Sequence, residues 1–243
     1  MKRPIDYGLD APGVVRGMAL GGGAALVAGI GGWFVFHGAQ PGVAGSLLAN
    51  GLIFAAYFFA VVLLMLWSSR VGKFAVCDRL VKALELSGPE RVLDVGCGRG
   101  LALIAVAKVL TTGKAVGIDL WSAKDLSGNN VSNALTNAAL EGVADRVEVE
   151  TADMRALPFA NASFDAVISM TAIHNVPDRA GRDKALTEIA RVLKPGGRAA
   201  IFDILHPFGY AKVLRRHGLA VERSGLLFYW SVPGRIWIAK KPA

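Results

Sequence analysis

The sequence is poor in cysteine and, over its first third, in charge. It has two cysteines, Cys77 and Cys97, among 243 residues, which argues against a disulfide framework and fits a reducing compartment. It also has no Asp, Glu, Lys or Arg in the 53 residues from Gly17 to Ser69. From Arg70 onward the composition is that of an ordinary globular domain. We therefore place a domain boundary near residue 70, with a membrane anchor over 1–69 and a second domain over 70–243.

Two apolar runs fill the uncharged third. Residues 17–36 and 47–67 are each about twenty residues long, the length of an α-helix that crosses a bilayer, and Pro41-Gly42 between them predicts a turn. Basic residues precede the first run and follow the second, but the connecting loop has none: Lys2, Arg3, Arg16, Arg70, Lys73, Arg79 and Lys82. By the positive-inside rule, the sequence predicts a two-span transmembrane hairpin with both termini on the cytoplasmic side.

The seven glycines of residues 17–36 admit other interpretations. A phosphate-binding loop needs a preceding strand and a following helix, and a signal peptide needs a shorter apolar core with a cleavage site. A buried core helix stays open, although a second run of equal length argues against it. Gly17, Gly21, Ala25 and Gly29 recur every four residues. They would let the second helix, or another copy of the chain, approach closely, or they reflect chance enrichment in small residues.

From residue 91 the pattern changes to short strands alternating with helices. Predicted strands lie at 91–95, 114–120, 147–153, 164–170 and 198–204, and helices at 101–110, 130–141, 179–193 and 210–217. Two more strand-like runs, 226–232 and 236–240, close the chain. This alternation predicts an α/β fold with a parallel sheet between helices. In such a fold, ligands bind beyond the carboxyl ends of the strands.

A glycine turn follows the first of these strands. Gly96-Cys-Gly-Arg-Gly100 has the spacing G-x-G-x-G, whereas nicotinamide dehydrogenases carry G-x-G-x-x-G. Glycines there let the backbone approach a ligand, and the N–H groups at the start of the next helix can bind its polar groups. Asp119, at the end of the second strand, can accept hydrogen bonds from both hydroxyls of a ribose. A helix cap for Asp119 and a loop-bracing role for Asp94 are the structural alternatives.

These motifs resemble those of the class I S-adenosylmethionine-dependent methyltransferases. VLDVGCGRG, the acid of GIDL, Ala152-Asp153-Met154, FDAVIS and Leu193-Lys-Pro-Gly-Gly197 occur in the family's order over about residues 88–204. The resemblance implies a Rossmann-like sheet of seven strands with an antiparallel last strand, and S-adenosylmethionine as cofactor. It assigns the methionine end to Asp94, Gly96, Gly98 and Gly100, the ribose to Asp119, and the adenine edge to Asp153 and Met154. Cys97, Leu120 and Thr171 complete the implied cofactor site, and we assign no metal site.

Residues 121–130, WSAKDLSGNN, are longer than is usual at this point in the family. Trp121 could close over the adenine. Asp125 and Ser127 are expected to cap the following helix.

Two histidines follow strand ends on the predicted ligand side. They are His174 in TAIHN and His206 in FDILHP, and with Asn175 and Asp203 they are the candidate catalytic residues. A histidine can serve as general base for a hydroxyl or phenol near neutral pH, or it can simply bond loop backbone. His174 is the stronger candidate, because its loop resembles the substrate-side loop of small-molecule methyltransferases.

The absence of certain motifs excludes some of the acceptor classes that the resemblance would otherwise allow. Enzymes that methylate exocyclic amines of nucleic-acid bases or glutamine side chains carry N/D-P-P-Y/F where this chain has TAIHN, and two cysteines are too few for arsenic methylation. The net charge of +8 is scattered, which gives nucleic acid a weak case and fits an anionic membrane surface at least as well.

We expect a membrane-anchored methyltransferase for a small, lipophilic acceptor at the cytoplasmic membrane face. The alternatives are a soluble metabolite or protein acceptor, and a non-catalytic cofactor-binding sensor or assembly factor. A homo-oligomer formed through the transmembrane helices is a further expectation.

Overall fold

Two long antiparallel helices precede the sheet. The computed structural model describes residues 5–204, 209–228 and 232–243, and it begins with α1 (Pro12–Phe36) and α2 (Pro41–Trp67). Both helices are long and apolar enough to cross a membrane. Pro41 begins α2, so the turn predicted at Pro41-Gly42 is wrong, and the connection lies just before it. A proline suits the first helical position, since the N–H it lacks would have no partner there.

Glycines bring α1 and α2 into contact. A Cβ on Gly51 would lie 2.6 Å from the Cα of Gly29, so the two backbones touch at this point. Gly22 and Gly32 also face α2, whereas a Cβ on Gly17 would have no neighbour within 4 Å. The four-residue repeat therefore describes the contact only in part. Each step of four residues turns the helix about 40° beyond a full turn, so the repeat drifts off one face.

The second helix runs on into the sheet domain without a linker. α2 continues through a π-helical turn, Ser68–Gly72, into α3 (Lys73–Leu84). The boundary that the sequence places near residue 70 falls within this turn. Four residues of α3 are buried in the core beside the sheet: Val76, Cys77, Leu80 and Leu84.

The rest of the chain forms one seven-stranded sheet. Its strands are β1 (Arg91–Val95), β2 (Lys114–Asp119), β3 (Val147–Thr151), β4 (Phe164–Met170), β5 (Leu193–Asp203), β6 (Ala220–Arg223) and β7 (Arg235–Lys240). The helices of this part are α4 (Leu101–Val109), α5 (Val131–Leu140), α6 (Arg179–Val192) and α7 (Tyr210–Arg216). The strand order is β3-β2-β1-β4-β5-β7-β6, with β7 antiparallel to both neighbours. This confirms the predicted α/β fold and its antiparallel last strand.

One predicted strand is wrong. The strand on the outer side of β7 is β6 at Ala220–Arg223, and the described residues of the predicted run 226–232, which are 226–228 and 232, form no strand. Residues 229–231 lie outside the described residues. Leu226 and Phe228 are instead exposed, and Leu227 makes an isolated bridge to Gly234. The apolar run misled the sequence analysis, because β6 buries only Val221 and so carries little hydrophobic signal.

The core lies on both faces of the sheet, and it fixes the edge where the site forms. One buried cluster lies beneath α6 and α7, and the other beneath α3 and α4. The parallel strands β1, β2, β4 and β5 point the same way, so their carboxyl ends meet at one edge. That edge carries the glycine turn, Asp119, Met170 and Asp203.

Candidate cofactor pocket and active site

The glycine turn folds tightly between β1 and α4. Gly96, Gly98 and Gly100 have φ values of 79°, 53° and 89°, a region that glycine adopts without steric cost. The N–H groups of Gly96 and Cys97 both donate to the Ile118 carbonyl, at 2.9 Å each. A Cβ on Gly96 would lie 2.2 Å from the Cβ of Ala172, so only glycine fits there.

Asp119 braces this turn. Its carboxylate accepts hydrogen bonds from the backbone N–H groups of Gly98 at 2.8 Å and Trp121 at 2.6 Å, and from the Asn129 side-chain amide at 3.1 Å. Asp119 therefore braces the turn, the role that the sequence offers for Asp94 as the less favoured alternative. Asp119 also lines the cavity beyond the strand ends.

Asp94 is a buried carboxylate with an unused oxygen. Its residue is 2% exposed, and its Oδ2 atom has no hydrogen-bond partner. Burial, and next the charge of Asp119, raise the pKa of Asp94 to about 8. A buried polar atom without a partner is costly and calls for an explanation. A cationic ligand in the adjoining cavity would supply the missing partner.

The remaining predicted cofactor residues also line this cavity: Cys97, Leu120, Asp153, Met154 and Thr171. The Asp153 carboxylate pairs with the Arg155 guanidinium at 2.6 Å, and this hydrogen bonding lowers the pKa of Asp153. Thr171 has a left-handed φ of 51°, and its N–H donates to the Phe202 carbonyl at 2.8 Å. Nine of the ten predicted cofactor residues are therefore gathered at one site, although they are far apart in sequence. The exception is Gly100, which precedes α4 and does not line the cavity.

Two expectations for residues 121–130 are wrong. Trp121 does not line the cavity, and its indole N–H donates to Thr151 Oγ1 at 2.8 Å instead. The cap of α5 is Asn130, whose side chain accepts the Asn133 N–H. Asp125 and Ser127 lie too early in the segment to reach that N–H, and they bind the N-terminal residues.

Residues 5–11 cover the glycine turn, and we call this segment the roof. Leu9 and Ser127 exchange two hydrogen bonds, at 2.7 and 3.0 Å, and the Ala11 N–H donates to the Asp125 carbonyl at 2.8 Å. Arg99, within the turn, pairs with Asp6 at 3.0 Å. Sequence analysis missed this contact, because an irregular segment carries no periodic signal that would point to its partner.

A buried lysine fastens this roof to α3. The Lys73 ammonium, 3% exposed, donates to the Tyr7 carbonyl at 3.0 Å and the Gly8 carbonyl at 2.7 Å. It also lies 3.8 Å from Asp10. The sequence counted Lys73 only as a positive charge beside the membrane, whereas the structure shows a buried structural role.

His174 and Asp203 form a hydrogen-bonded pair. The Nδ1 atom of His174 bonds Asp203 Oδ1, and the His174 backbone N–H donates to Oδ2 at 3.0 Å. Asp203 is fully buried and accepts two more bonds, from the Tyr210 hydroxyl and the Ile204 N–H, each at 2.9 Å. Tyr210 was missed, because nothing in its sequence position points to Asp203.

His174 is the member of this pair that lines the cavity. His174 and Asn175 both line it, and within the described ranges the Nε2 atom of His174 makes no hydrogen bond. Three of the four candidate catalytic residues are therefore at or beside the cavity wall: His174, Asn175 and Asp203. His206 lies outside the described residues.

The cavity has a volume of about 770 Å³. Its wall includes the glycine turn, His174 and the ends of the two long helices, where Val14 of α1 and Met65 of α2 line it. Ile204 and Val232 line the same region. One cavity thus joins the cofactor residues, the histidine and the helical hairpin.

The residues at the glycine turn fit S-adenosylmethionine. That molecule carries a protonated amino group and a sulfonium, and the unpartnered Asp94 oxygen suits a cation. The glycines provide the close backbone approach that the methionine end needs.

Comparison with known proteins identifies a methyltransferase domain within the chain. Residues 92–197 match the model of a methyltransferase domain. The chain is 38% identical over 128 residues to the methyltransferase GfsG of Streptomyces halstedii, which covers 53% of this chain and 42% of that protein. It is also 38% identical over 131 residues to the 27-O-demethylrifamycin SV methyltransferase of Amycolatopsis mediterranei, covering 53% and 43%. The chain thus spans less than half the length of these two curated relatives.

Solved structures support the fold. The [4+2]-cyclase SpnF aligns with a TM-score of 0.59 at 21% identity, over 70% of this chain and 81% of that one. A geranyl diphosphate methyltransferase in complex with S-adenosylmethionine aligns at 0.54 with 16% identity, over 69% and 85%. One of these neighbours is named as a cyclase, so the fold alone does not define the reaction. The match of the methyltransferase model and the fit of the glycine turn together identify a class I, S-adenosylmethionine-dependent methyltransferase domain in this chain.

Proposed function

We propose that the protein transfers a methyl group from S-adenosylmethionine to a hydroxyl of a small, lipophilic acceptor at the cytoplasmic face of a membrane. One observation carries the proposal of a hydroxyl. His174 is held by the buried Asp203 carboxylate on the wall of the cavity that also holds the glycine turn. A transfer to an amine that is already neutral, or to a thiolate, needs no such base.

When bound, the cofactor would supply an electrophilic methyl group for an in-line displacement, in which the sulfur–methyl bond breaks and S-adenosylhomocysteine leaves; such a transfer depends mainly on positioning. The proton of the acceptor hydroxyl must leave as the new oxygen–carbon bond forms. The Asp203 carboxylate accepts a hydrogen bond from the Nδ1–H of His174, which leaves the Nε2 lone pair for the acceptor. His174 takes the hydroxyl proton at Nε2, and the Asp203 carboxylate stabilises the imidazolium.

The acceptor class is supported by the relatives. Two of those that resemble this chain are named for a demethylrifamycin and, in Lactiplantibacillus plantarum, a demethylmenaquinone. Both names describe small molecules. We extend that class to this chain on the strength of the shared domain.

The membrane location is supported by the two long helices. Much of their apolar surface is exposed, including Leu20, Val27, Phe34, Ile53 and Leu63. Such surface is unfavourable in water, and a bilayer would cover it. The basic residues on either side favour cytoplasmic termini. In this proposal, residues 1–69 anchor the domain formed by 70–243.

The test uses the full-length protein in phospholipid vesicles with labelled cofactor and a panel of lipophilic phenols, alcohols, thiols and amines. We expect O-methylated products. His174→Gln should lower kcat about 100-fold or more, the usual contribution of a general base, and leave cofactor binding unchanged by calorimetry. His217→Gln is the matched control, because His217 ends α7 and bonds Thr187 outside the cavity.

Two results would contradict the proposal. Full activity of His174→Gln would exclude the base, and methylation only of amines or thiols would exclude the hydroxyl acceptor. Label that enters only water-soluble products when membranes and cytosol are assayed separately would exclude the lipophilic acceptor.

A further inference from the structure

The cavity lining has two chemically different parts. The polar part includes the glycine turn, Asp94 and Asp119, and the apolar part includes Gly13, Val14, Met65, Ile204 and Val232. His174 also lines the cavity. An acceptor whose hydroxyl is at His174 would therefore share the cavity with apolar side chains, two of which belong to the helical hairpin.

The cavity reaches the surface beside the hairpin. Val14 and Val232 line the cavity and are 49% and 39% exposed, respectively, so the lining here is also surface. This opening adjoins residues 5–11, because Ala11 precedes Val14 by three residues and the Ser69 hydroxyl, four residues after Met65, bonds Asp10. Leu120 also lines the cavity and is 61% exposed, and the opening beside Val14 is the one that lies next to the hairpin. A ligand too large for the cavity has an exit beside the helix ends.

This opening lies at the level of a membrane interface, if the hairpin spans the bilayer as proposed. Met65 precedes Trp67 by two residues, about 3 Å along a helix, and Trp67 is 42% exposed at the end of α2. Exposed tryptophans at helix ends typically lie among lipid headgroups. Arg16 is likewise only two residues from Val14.

The volume limits what fits inside. A cavity of 770 Å³ falls within the range of about 300–1,000 Å³ that encloses one drug-sized ligand. The cofactor and the reacting head of an acceptor would fill it. A long hydrocarbon chain on the acceptor would have to leave through the opening.

We propose that the acceptor carries a long apolar tail that leaves the cavity beside Val14 and Met65 and stays in the cytoplasmic leaflet. This inference rests on the proposed function, and it adds the substrate class and the residues that select it. The head reaches His174 while the tail remains in lipid, so the acceptor never crosses water.

The experiment pairs two acceptors with one headgroup. The full-length protein in phosphatidylcholine–phosphatidylglycerol vesicles is given a hydroquinone with a methyl substituent or with a dodecyl chain ending in a diazirine. Met65→Trp should narrow the opening, and Val14→Trp is a second variant at an exposed position, in case Met65→Trp folds poorly. Leu63→Trp is the matched control, because Leu63 lies on the same helix, is 66% exposed and is outside the cavity.

We call the opening beside Val14 and Met65 the port, and we expect both variants there to raise KM for the dodecyl compound about tenfold more than KM for the methyl compound. Irradiation should label the first turn of α1 and the last turn of α2. Equal effects on both acceptors, an equal effect of Leu63→Trp, or labelling elsewhere would overturn the inference. Because labelling needs no turnover, it separates the two proposals. Labelling at the port without methylation rejects the proposed function alone, while methylation that depends on His174, with labelling elsewhere, rejects this inference alone.

Discussion

Cofactor binding should be coupled to the ionisation of Asp94. Burial and the charge of Asp119 raise the pKa of this carboxyl from 3.8 to about 8 in the ligand-free protein, so it is mostly protonated at pH 7. A cation bound beside its unpartnered oxygen favours the carboxylate. Binding of S-adenosylmethionine should therefore release a proton, and the affinity should rise as the pH rises toward 8.

The magnitude follows from the pKa. Each pH unit below about 8 lowers the ionised fraction about tenfold, which corresponds to about 1.4 kcal/mol of binding free energy. Between pH 6 and pH 8 the affinity should therefore increase about 50-fold, and at pH 7 each cofactor should release about 0.9 proton. Burial raises the pKa of the neighbouring Cys97 thiol well above its ordinary value, so that thiol does not titrate in this range.

Stability should show the opposite dependence. The unfolded chain loses the Asp94 proton near pH 3.8, whereas the folded, ligand-free protein keeps it until about pH 8. The folded state binds more protons between these values, so the free energy of unfolding should fall as the pH rises through them.

Titration calorimetry at pH 6, 7 and 8, in buffers of different ionisation enthalpy, measures both the affinity and the proton release. Asp94→Asn is the control. It is neutral throughout, so it should bind the cofactor weakly with no pH dependence from this site, and its stability should lack the corresponding fall. A wild-type affinity that is constant from pH 6 to 8 would refute the reasoning. A pH dependence of equal slope in Asp94→Asn would refute it too.

Two further substitutions test the structure around the pocket. Gly96→Ala would bring a Cβ to 2.2 Å from that of Ala172 at a φ of 79°. Gly96→Ala should abolish cofactor binding, measured by calorimetry. The control is Gly218→Ala, which is also at positive φ but has no neighbour within 4 Å of the added Cβ, and it should bind the cofactor as the wild type does. Equal cofactor binding by both variants would contradict the close contact between residue 96 and Ala172. Lys73→Met removes the donor to the half-buried carbonyls of Tyr7 and Gly8, at most about 1–3 kcal/mol for each group left without a partner, so hydrogen exchange at residues 8–11 should accelerate. Unchanged exchange there would show that Lys73 does not hold the roof.

The sheet could be predicted from the sequence because each of its parts carries a local signal. The apolar run before Gly96 and the glycine spacing marked β1 and the turn after it, and these signals depend on neighbouring residues only. The sequence did not predict β6, because this strand is short and buries a single side chain, Val221. Its place beside β7 is set by pairing across the sheet, which a single sequence does not display.

Site residues could be predicted where a polar or ionisable side chain follows a predicted strand. They were missed where only the folded structure brings residues that are distant in sequence together. Asp203 and His174 each followed a predicted strand, so both were candidates. Tyr210 completes the pair only because α7 returns its hydroxyl to the Asp203 carboxylate. Asp119 and Asp94 were both predicted, but which of them braces the turn depends on the path of the backbone.

The helical hairpin and the methyltransferase domain share more structure than a tether would require. The chain contacts the glycine turn with residues 5–11 before α1 begins, and it returns through α2 directly into α3. Lys73, at the start of α3, binds the carbonyls of Tyr7 and Gly8. The segments at the two ends of the hairpin therefore meet over the glycine turn. A rotation of either helix about its axis would therefore move the roof of the pocket. Gly13, Val14 and Met65 line the cavity, so the hairpin is part of the wall of the site.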